Sequence, residues 1–186
     1  NEAGLTIHTI AVNVSALQLF RGDLVRRLRE ILAEARVPAR RLELELTETI
    51  LLQDAHEMEL RLGALSELGV SLAIDDFGTG YSSLAYLKKL PIHKLKIDQS
   101  FVRGLPEDDG DRAIVSAIIS MGRALHIEVV AEGVETSAQR AVLQQMQCGH
   151  FQGYLCSPGL PSAEFRQLLG KSTLGLAQFA PEMPAT

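Results

Sequence analysis

The sequence predicts an α/β fold, a (β/α)8 TIM-like barrel, and three observations predict it. Short apolar or alternating runs recur along the chain, helical spacing fills the gaps between them, and polar residues gather at the C-terminal ends of the runs. Strands alternating with helices make βαβ units and a parallel sheet. No GxGxxG follows the first run, so an open dinucleotide-binding sheet has no support. Barrel enzymes build their sites at the C-terminal ends of their strands, which is where the polar residues fall.

The strands read, in order, as IAVNVS (10–15), LELELTE (42–48), VSLAID (70–75), HKLKID (93–98), IEVVAEG (127–133) and HFQGYLC (150–156). Leu24, Leu28, Ile31, Leu32 and Ala35 share one helical face, as do Leu62, Leu65 and Leu68, with Gly69 as the stop. Ile114, Val115, Ile118, Ile119, Met121 and Leu125 predict a longer buried helix. Thr136 with Gln139 is a capping box for a helix carrying Val142, Leu143 and Met146. Ser162 caps a last helix with Phe165, Leu168 and Leu169. About six parallel strands are predicted where a closed barrel has eight. The barrel is therefore expected to be N-terminally incomplete here, with Asn1 to Thr9 the end of a preceding helix and its loop. Residues 1–170 are assigned to the barrel domain, and 171–186, small and proline-containing, to a flexible tail.

Composition narrows the function. The 186 residues are 46% hydrophobic and 22% charged, an ordinary globular balance. A formal net charge of −5 argues against a DNA or RNA polymer as ligand. It leaves room for a small anion held through metal ions. Cys148 and Cys156 form no CxxC, which suits a reducing, cytoplasmic setting, and both read as buried small hydrophobes. No run approaches the roughly 18 apolar residues of a membrane span. The chain starts at Asn1 without a signal-peptide pattern and reads as a piece of a larger protein, whose other parts are free to tether it to a membrane. His8, His56, His93, His126 and His150 fit no zinc spacing and are assigned to surface or edge positions.

The alternating strands carry the chemistry. In LELEL, Glu43 and Glu45 point opposite to the leucines; in KLKID, Lys94, Lys96 and Asp98 point opposite to Leu95 and Ile97. With the apolar side chains facing helices, the charges face the barrel interior, where each must be paired or bind something. Glu43 with Lys94 reads equally well as a structural pair. The upper layer is different, because Glu45, Asp75, Asp76 and Glu132 face one lysine, Lys96, with Asn13 and Gln152 as neutral oxygen donors. Oxygen-only ligands suit hard divalent cations. Adjacent aspartates suit two ions sharing a bridging carboxylate, an arrangement used for phosphoryl chemistry. The plainer reading of two adjacent aspartates is a turn or helix cap.

VNVS, ELTE, DDFGTGYSSL, KIDQSFV, AEGVE and QGYLCSP, in this order, resemble the EAL-domain cyclic-di-GMP phosphodiesterases over about Leu5 to Leu169. The resemblance implies hydrolysis of one phosphodiester of cyclic-di-GMP to linear pGpG in bacterial second-messenger signalling. It implies two Mg²⁺ or Mn²⁺ ions per site, with Ca²⁺ inhibitory. Asn13, Glu45, Asp75, Asp76 and Glu132 are the implied metal ligands, with Asp75 bridging. Lys96, Asp76 and Glu132 are implied in catalysis, Lys96 by holding the attacking water. Burial lowers and neighbouring carboxylates raise the pKa of that lysine, and the sequence leaves the balance open. Gln152, Asp76 and Gly153 are implied at the substrate. Glu48 would anchor the loop carrying Phe77, Gly78, Thr79 and Gly80, and Glu135 would stand behind the ligands. The two loop glycines read as hinges. The region of the Asp75–Ser83 loop is the implied homodimer contact, and upstream sensor or cyclase domains are implied partners.

The E-A-L tripeptide itself is not found at a matching place; Glu2-Ala3-Gly4 is not it. Residues 1–186 alone are therefore expected to bind metal poorly and to turn over slowly. Other readings remain. One is a catalytically silent cyclic-di-GMP receptor, another a dimerisation or relay module beside other signalling domains. An enolase-like lyase would need a base opposite three acids, and the DDFGTGYSS loop lends it nothing.

Overall fold

A computed structural model describes residues 9–52, 54–80 and 84–172. Six parallel strands curl into a half-barrel and pair in sequence order. They are β1 (Ile10–Asn13), β2 (Leu42–Thr47), β3 (Ser71–Phe77), β4 (Lys94–Ile97), β5 (Glu128–Ala131) and β6 (His150–Phe151). The helices are α1 (Ala16–Arg21), α2 (Leu24–Glu34), α3 (Ala55–Leu68), α4 (Leu84–Leu87), α5 (Gln99–Arg103), α6 (Asp109–Leu125), α7 (Ser137–Gln145) and α8 (Ser162–Ser172). One-turn 3₁₀ helices at Ala39–Arg41 and Glu48–Leu52 flank β2. Residues 9–156 make one compact unit. The described residues 157–172 belong to another, which contains α8. Of the expected preceding helix and loop at Asn1–Thr9, all but Thr9 lies outside the described residues, as does most of the expected tail.

The core follows from the strand patterns. Leu44, Leu46, Leu72, Ile74, Leu95 and Ile97 are almost wholly buried. Met58, Leu62 and Leu65 bring α3 to the same core, and Val115, Ile118 and Ile119 bring α6. Each fully buried side chain of this size contributes roughly 1.5–3 kcal/mol relative to exposure. Gly69 closes α3 in the left-handed conformation, and the Thr136–Gln139 capping box opens α7.

Several elements differ from the sequence expectation, each for a local reason. The first strand stops at Asn13 because Ser15 and Gln18 form a capping box that starts α1. The third strand runs on through Phe77. The sixth stops at Phe151, since the Gln152 carbonyl turns to accept the Val134 N–H and Gly153 lies against the Val134 backbone. On α2, Ile31 is 59% exposed and no residue is fully buried. Ile114 sits off the buried stripe of α6 and is also exposed. Cys148 is buried as expected, but Cys156 is exposed in the turn after β6. The last helix, α8, runs on through Lys171 to Ser172. The histidines at 56, 93, 126 and 150 are exposed, and His8 lies outside the described residues.

Candidate metal and substrate site

The strand register brings the polar side chains together. Asn13 pairs with Glu45, and Thr47 with Asp75, so the ends of β1, β2 and β3 lie side by side. Ile97 pairs with Ala131, and the Glu132 N–H donates to the Ile97 carbonyl at 3.2 Å, which places Glu132 beside the end of β4.

The two adjacent aspartates need a special device. Regular alternation along a strand would send Asp75 and Asp76 to opposite faces. The pairing of β3 with β4 shifts here: Ile74 faces Leu95 and Phe77 faces Ile97, so β3 carries one extra residue. Asp76 takes up the slack in the left-handed conformation, at φ 53°, a region that aspartate enters more readily than most residues. The bulge turns both carboxylates toward one point. One ligand oxygen from each of Asp75, Asp76 and Glu132 lies within 4.8 Å of the others.

Lys96 stands beneath this cluster with its side chain only 5% exposed. Its Nζ donates to Glu132 at 2.7 Å, to Glu45 at 2.8 Å and to Asp75 at 3.0 Å. Burial works to lower its pKa, but the bonds to Glu132, Glu45 and Asp75 outweigh burial and hold it above the usual lysine range. The balance that the sequence left open falls to the charged form. Lys96 is an ammonium donor. Burial also pushes the Glu132 carboxyl up, to about 7, against the opposing pull of Lys96. The Asp76 carboxyl is raised by burial, by Asp75 and by a hydrogen bond with Asp98.

The loop after β3 is tied down by Glu48. This buried carboxylate accepts the Gly78 N–H at 2.8 Å and the Gly80 N–H at 3.1 Å. Thr79 Oγ1 donates to the Asp76 carbonyl at 2.9 Å, and the Phe77 ring is buried in the core. Tyr81, Ser82 and Ser83 lie outside the described residues. On the far side, Gln152 Nε2 donates to Glu132 Oε1. Gly153 carries no side chain where a Cβ would collide with the nitrogen and oxygen of Val134. Glu135 is exposed, and its N–H donates to the side chain of Gln139.

The structure therefore gathers Glu45, Asp75, Asp76, Lys96, Glu132 and Gln152 into one network. Asn13 is placed next to Glu45 by register, on the exposed edge strand. Glu135 stands apart in the loop before α7. Asp98 was given no role from sequence, yet its carboxyl helps to raise that of Asp76 while it caps α5 by accepting the Ser100 N–H at 2.8 Å. Its place on the charged face of KLKID was the available signal. An oxygen-only donor set with four carboxylates around one ammonium fits a hard divalent cation.

The EAL domain model matches residues 2–159. The chain belongs to the EAL domain family. It is 49% identical over 160 residues to the cyclic di-GMP phosphodiesterase NbdA of Pseudomonas aeruginosa, covering 86% of this chain and 20% of NbdA. Among solved structures it resembles the PaMucR phosphodiesterase in complex with c-di-GMP, at 46% identity and a TM-score of 0.82, over 84% of this chain and 64% of that one. It also resembles Klebsiella pneumoniae BlrP1 in a manganese and c-di-GMP complex, at 35% identity and a TM-score of 0.76, over 83% of this chain and 39% of that one. The chain thus spans about a fifth of the curated relative NbdA. No helix among the described residues of this EAL domain is long and apolar enough to cross a membrane.

Proposed function

We propose that this EAL domain hydrolyses one phosphodiester bond of cyclic-di-GMP, giving linear pGpG, in a divalent-metal-dependent reaction. The observation that carries the reading is the convergence of Asp75, Asp76 and Glu132 above a charged Lys96. Asp75, Asp76, Glu132 and Glu45, with Asn13 beside them, would hold two Mg²⁺ or Mn²⁺ ions. Such ions, when bound, offset phosphate charge and favour attack by water.

The chain's own groups supply the rest. Lys96 is a donor, so it orients an oxygen by hydrogen bonding and does not take up a proton. Carboxylate oxygens of the surrounding cluster accept the proton that water loses. Water oxygen bonds to phosphorus, the bond to one ribose oxygen breaks, and that oxygen is protonated as pGpG forms. Gln152, held by its bond to Glu132, faces the substrate from the β6 side, with Gly153 and Asp76 completing that edge. Glu48 keeps the loop after Asp76 closed on the site, and Glu135 supports the loop that follows Glu132. We assign the homodimer contact to the Asp75–Ser83 loop region, the barrel domain to residues 1–170, a cytoplasmic location to the domain, and inhibition to Ca²⁺. Similarity to c-di-GMP complexes of PaMucR and BlrP1 supports the choice of ligand.

The test is incubation of the full-length protein carrying this chain with cyclic-di-GMP and Mg²⁺ or Mn²⁺, with the product read by chromatography. Formation of pGpG that stops on chelation is expected. Binding that survives chelation, with no pGpG formed, overturns the enzyme reading in favour of a receptor.

A further inference from the structure

We propose that α5, the short helix after β4, is the positioning element that fixes Asp76 and Glu132 relative to each other, with Phe101 and Gln99 as its contact residues. This rests on the metal-site reading above and assigns a device to that site.

The two carboxylates come from different loops, and each loop is seated on α5 directly beside its carboxylate. On the β3 side, Gly78 lies against the Phe101 ring. A Cβ on Gly78 would approach Phe101 Cε2 to 2.9 Å and Ile118 Cδ1 to 3.2 Å, and its φ of 105° excludes most other residues. Asp98, which caps α5, donates its N–H to the Phe77 carbonyl at 3.4 Å. On the β5 side, Gly133 lies against Gln99. A Cβ there would come within 2.6 Å of Gln99 Cβ, and φ is again positive, at 65°. Residues 78 and 133 therefore both surrender a side chain to the same five-residue helix.

That helix is anchored independently of the site. Val102 is fully buried, and Leu105, whose N–H donates to the Val102 carbonyl, is nearly so. Phe101 and Gln99 act through the glycines, Gly78 and Gly133, that they meet. The spacing of the Asp76 and Glu132 oxygens thus depends on one rigid spacer between two loops, and not on each loop alone. Residues that orient ligands in this way commonly change metal affinity by about 10- to 100-fold when altered.

The test is Mn²⁺ affinity, measured by calorimetry on the folded full-length protein without substrate, alongside its Tm. Phe101→Ala removes the seat of Gly78, and Gln99→Gly removes the Cβ that meets Gly133, whereas Gln99→Ala keeps it. Both Phe101→Ala and Gln99→Gly are expected to weaken Mn²⁺ binding about tenfold, with Gln99→Ala and Phe101→Leu recovering most of it. A purely structural helix would lower Tm in step with the lost packing and leave the affinity of the folded protein unchanged. Gln99 is exposed, so its variants carry the test even if Phe101→Ala fails to fold. Unchanged Mn²⁺ affinity in Gln99→Gly overturns the proposal while the metal site stands. Absence of Mn²⁺ binding by the parent protein overturns both.

Discussion

Two ionic layers share the strands of this half-barrel, and they differ in stoichiometry. The lower layer runs Glu43, Lys94, Glu128 and His150 across β2, β4, β5 and β6. Lys94 Nζ lies 2.7 Å from Glu43 and 3.8 Å from Glu128, and His150 Nδ1 lies 3.5 Å from Glu128. Two carboxylates there meet one lysine and an exposed imidazole. The upper layer sets Glu45, Asp75, Asp76 and Glu132 against Lys96 alone. The lower layer has one carboxylate in excess, on the exposed Glu128, whereas the upper has three around Lys96. Glu43 and Glu45 on β2, and Lys94 and Lys96 on β4, thus give the same side-chain types, two residues apart, to a structural lattice below and a candidate cation-binding arrangement above.

The comparison breaks most sharply at Asp75. Asp75→Asn keeps the shape and removes one negative charge at the point where β3 bulges. Turnover of cyclic-di-GMP is expected to fall by about 10²–10³-fold or more, with Mn²⁺ affinity falling too. Equal pGpG formation by the variant would dismiss the assignment of the upper layer to metal.

Lys96→Met comes next. It strips the ammonium from Glu45, Asp75 and Glu132, and uncompensated carboxylates in a buried site cost about 3 kcal/mol. A lower Tm is expected, together with loss of most activity. Added Mn²⁺ should restore part of the Tm, because a cation offsets the same charges, yet it should leave activity low, since the oriented donor is gone. A Tm indifferent to Mn²⁺ would mean that the carboxylates do not bind it.

How much of this was legible in the sequence follows from the same two layers. The alternation in LELEL and KLKID announced both, because strand period alone places Glu43, Glu45, Lys94 and Lys96 on one face. The strand order and the Thr136 cap were equally local signals. The convergence of Asp75 and Asp76 was expected from the chemistry of adjacent carboxylates at a strand end, but the means was hidden, since period two separates neighbours and an extra residue in β3 with a left-handed Asp76 unites them. No local pattern encodes that register shift. The charge state of Lys96 was also hidden, because it depends on three partners from three separate strands or loops. The part played by α5 was missed because its contacts are made to glycines, whose lack of a side chain leaves nothing to read in a polar pattern.

The lower layer gives smaller effects. Lys94→Met leaves Glu43, which is nearly buried, without its partner, while Lys94 itself is partly solvated. A loss of about 2 kcal/mol in unfolding free energy is expected by denaturant titration, with turnover of cyclic-di-GMP retained. The double variant Glu43→Leu, Lys94→Met should recover to within about 1 kcal/mol of the parent, because an apolar pair replaces an ionic one. A collapse of turnover in the double variant would show that the lower layer contributes to the site.

The smallest effect is reserved for His150. Its side chain is 64% exposed and sits 3.5 Å from a Glu128 that is itself 42% exposed. Solvent and salt screen such a pair, so its loss is worth less than about 0.5 kcal/mol. His150→Gln is expected to leave both the denaturation midpoint and Mn²⁺ affinity where they are. If the midpoint moved, the imidazole would be a working member of the lower lattice, which would then extend to β6. If it stays, the lattice ends at Lys94 and its two carboxylates, and solvent alone screens the excess charge on the exposed Glu128.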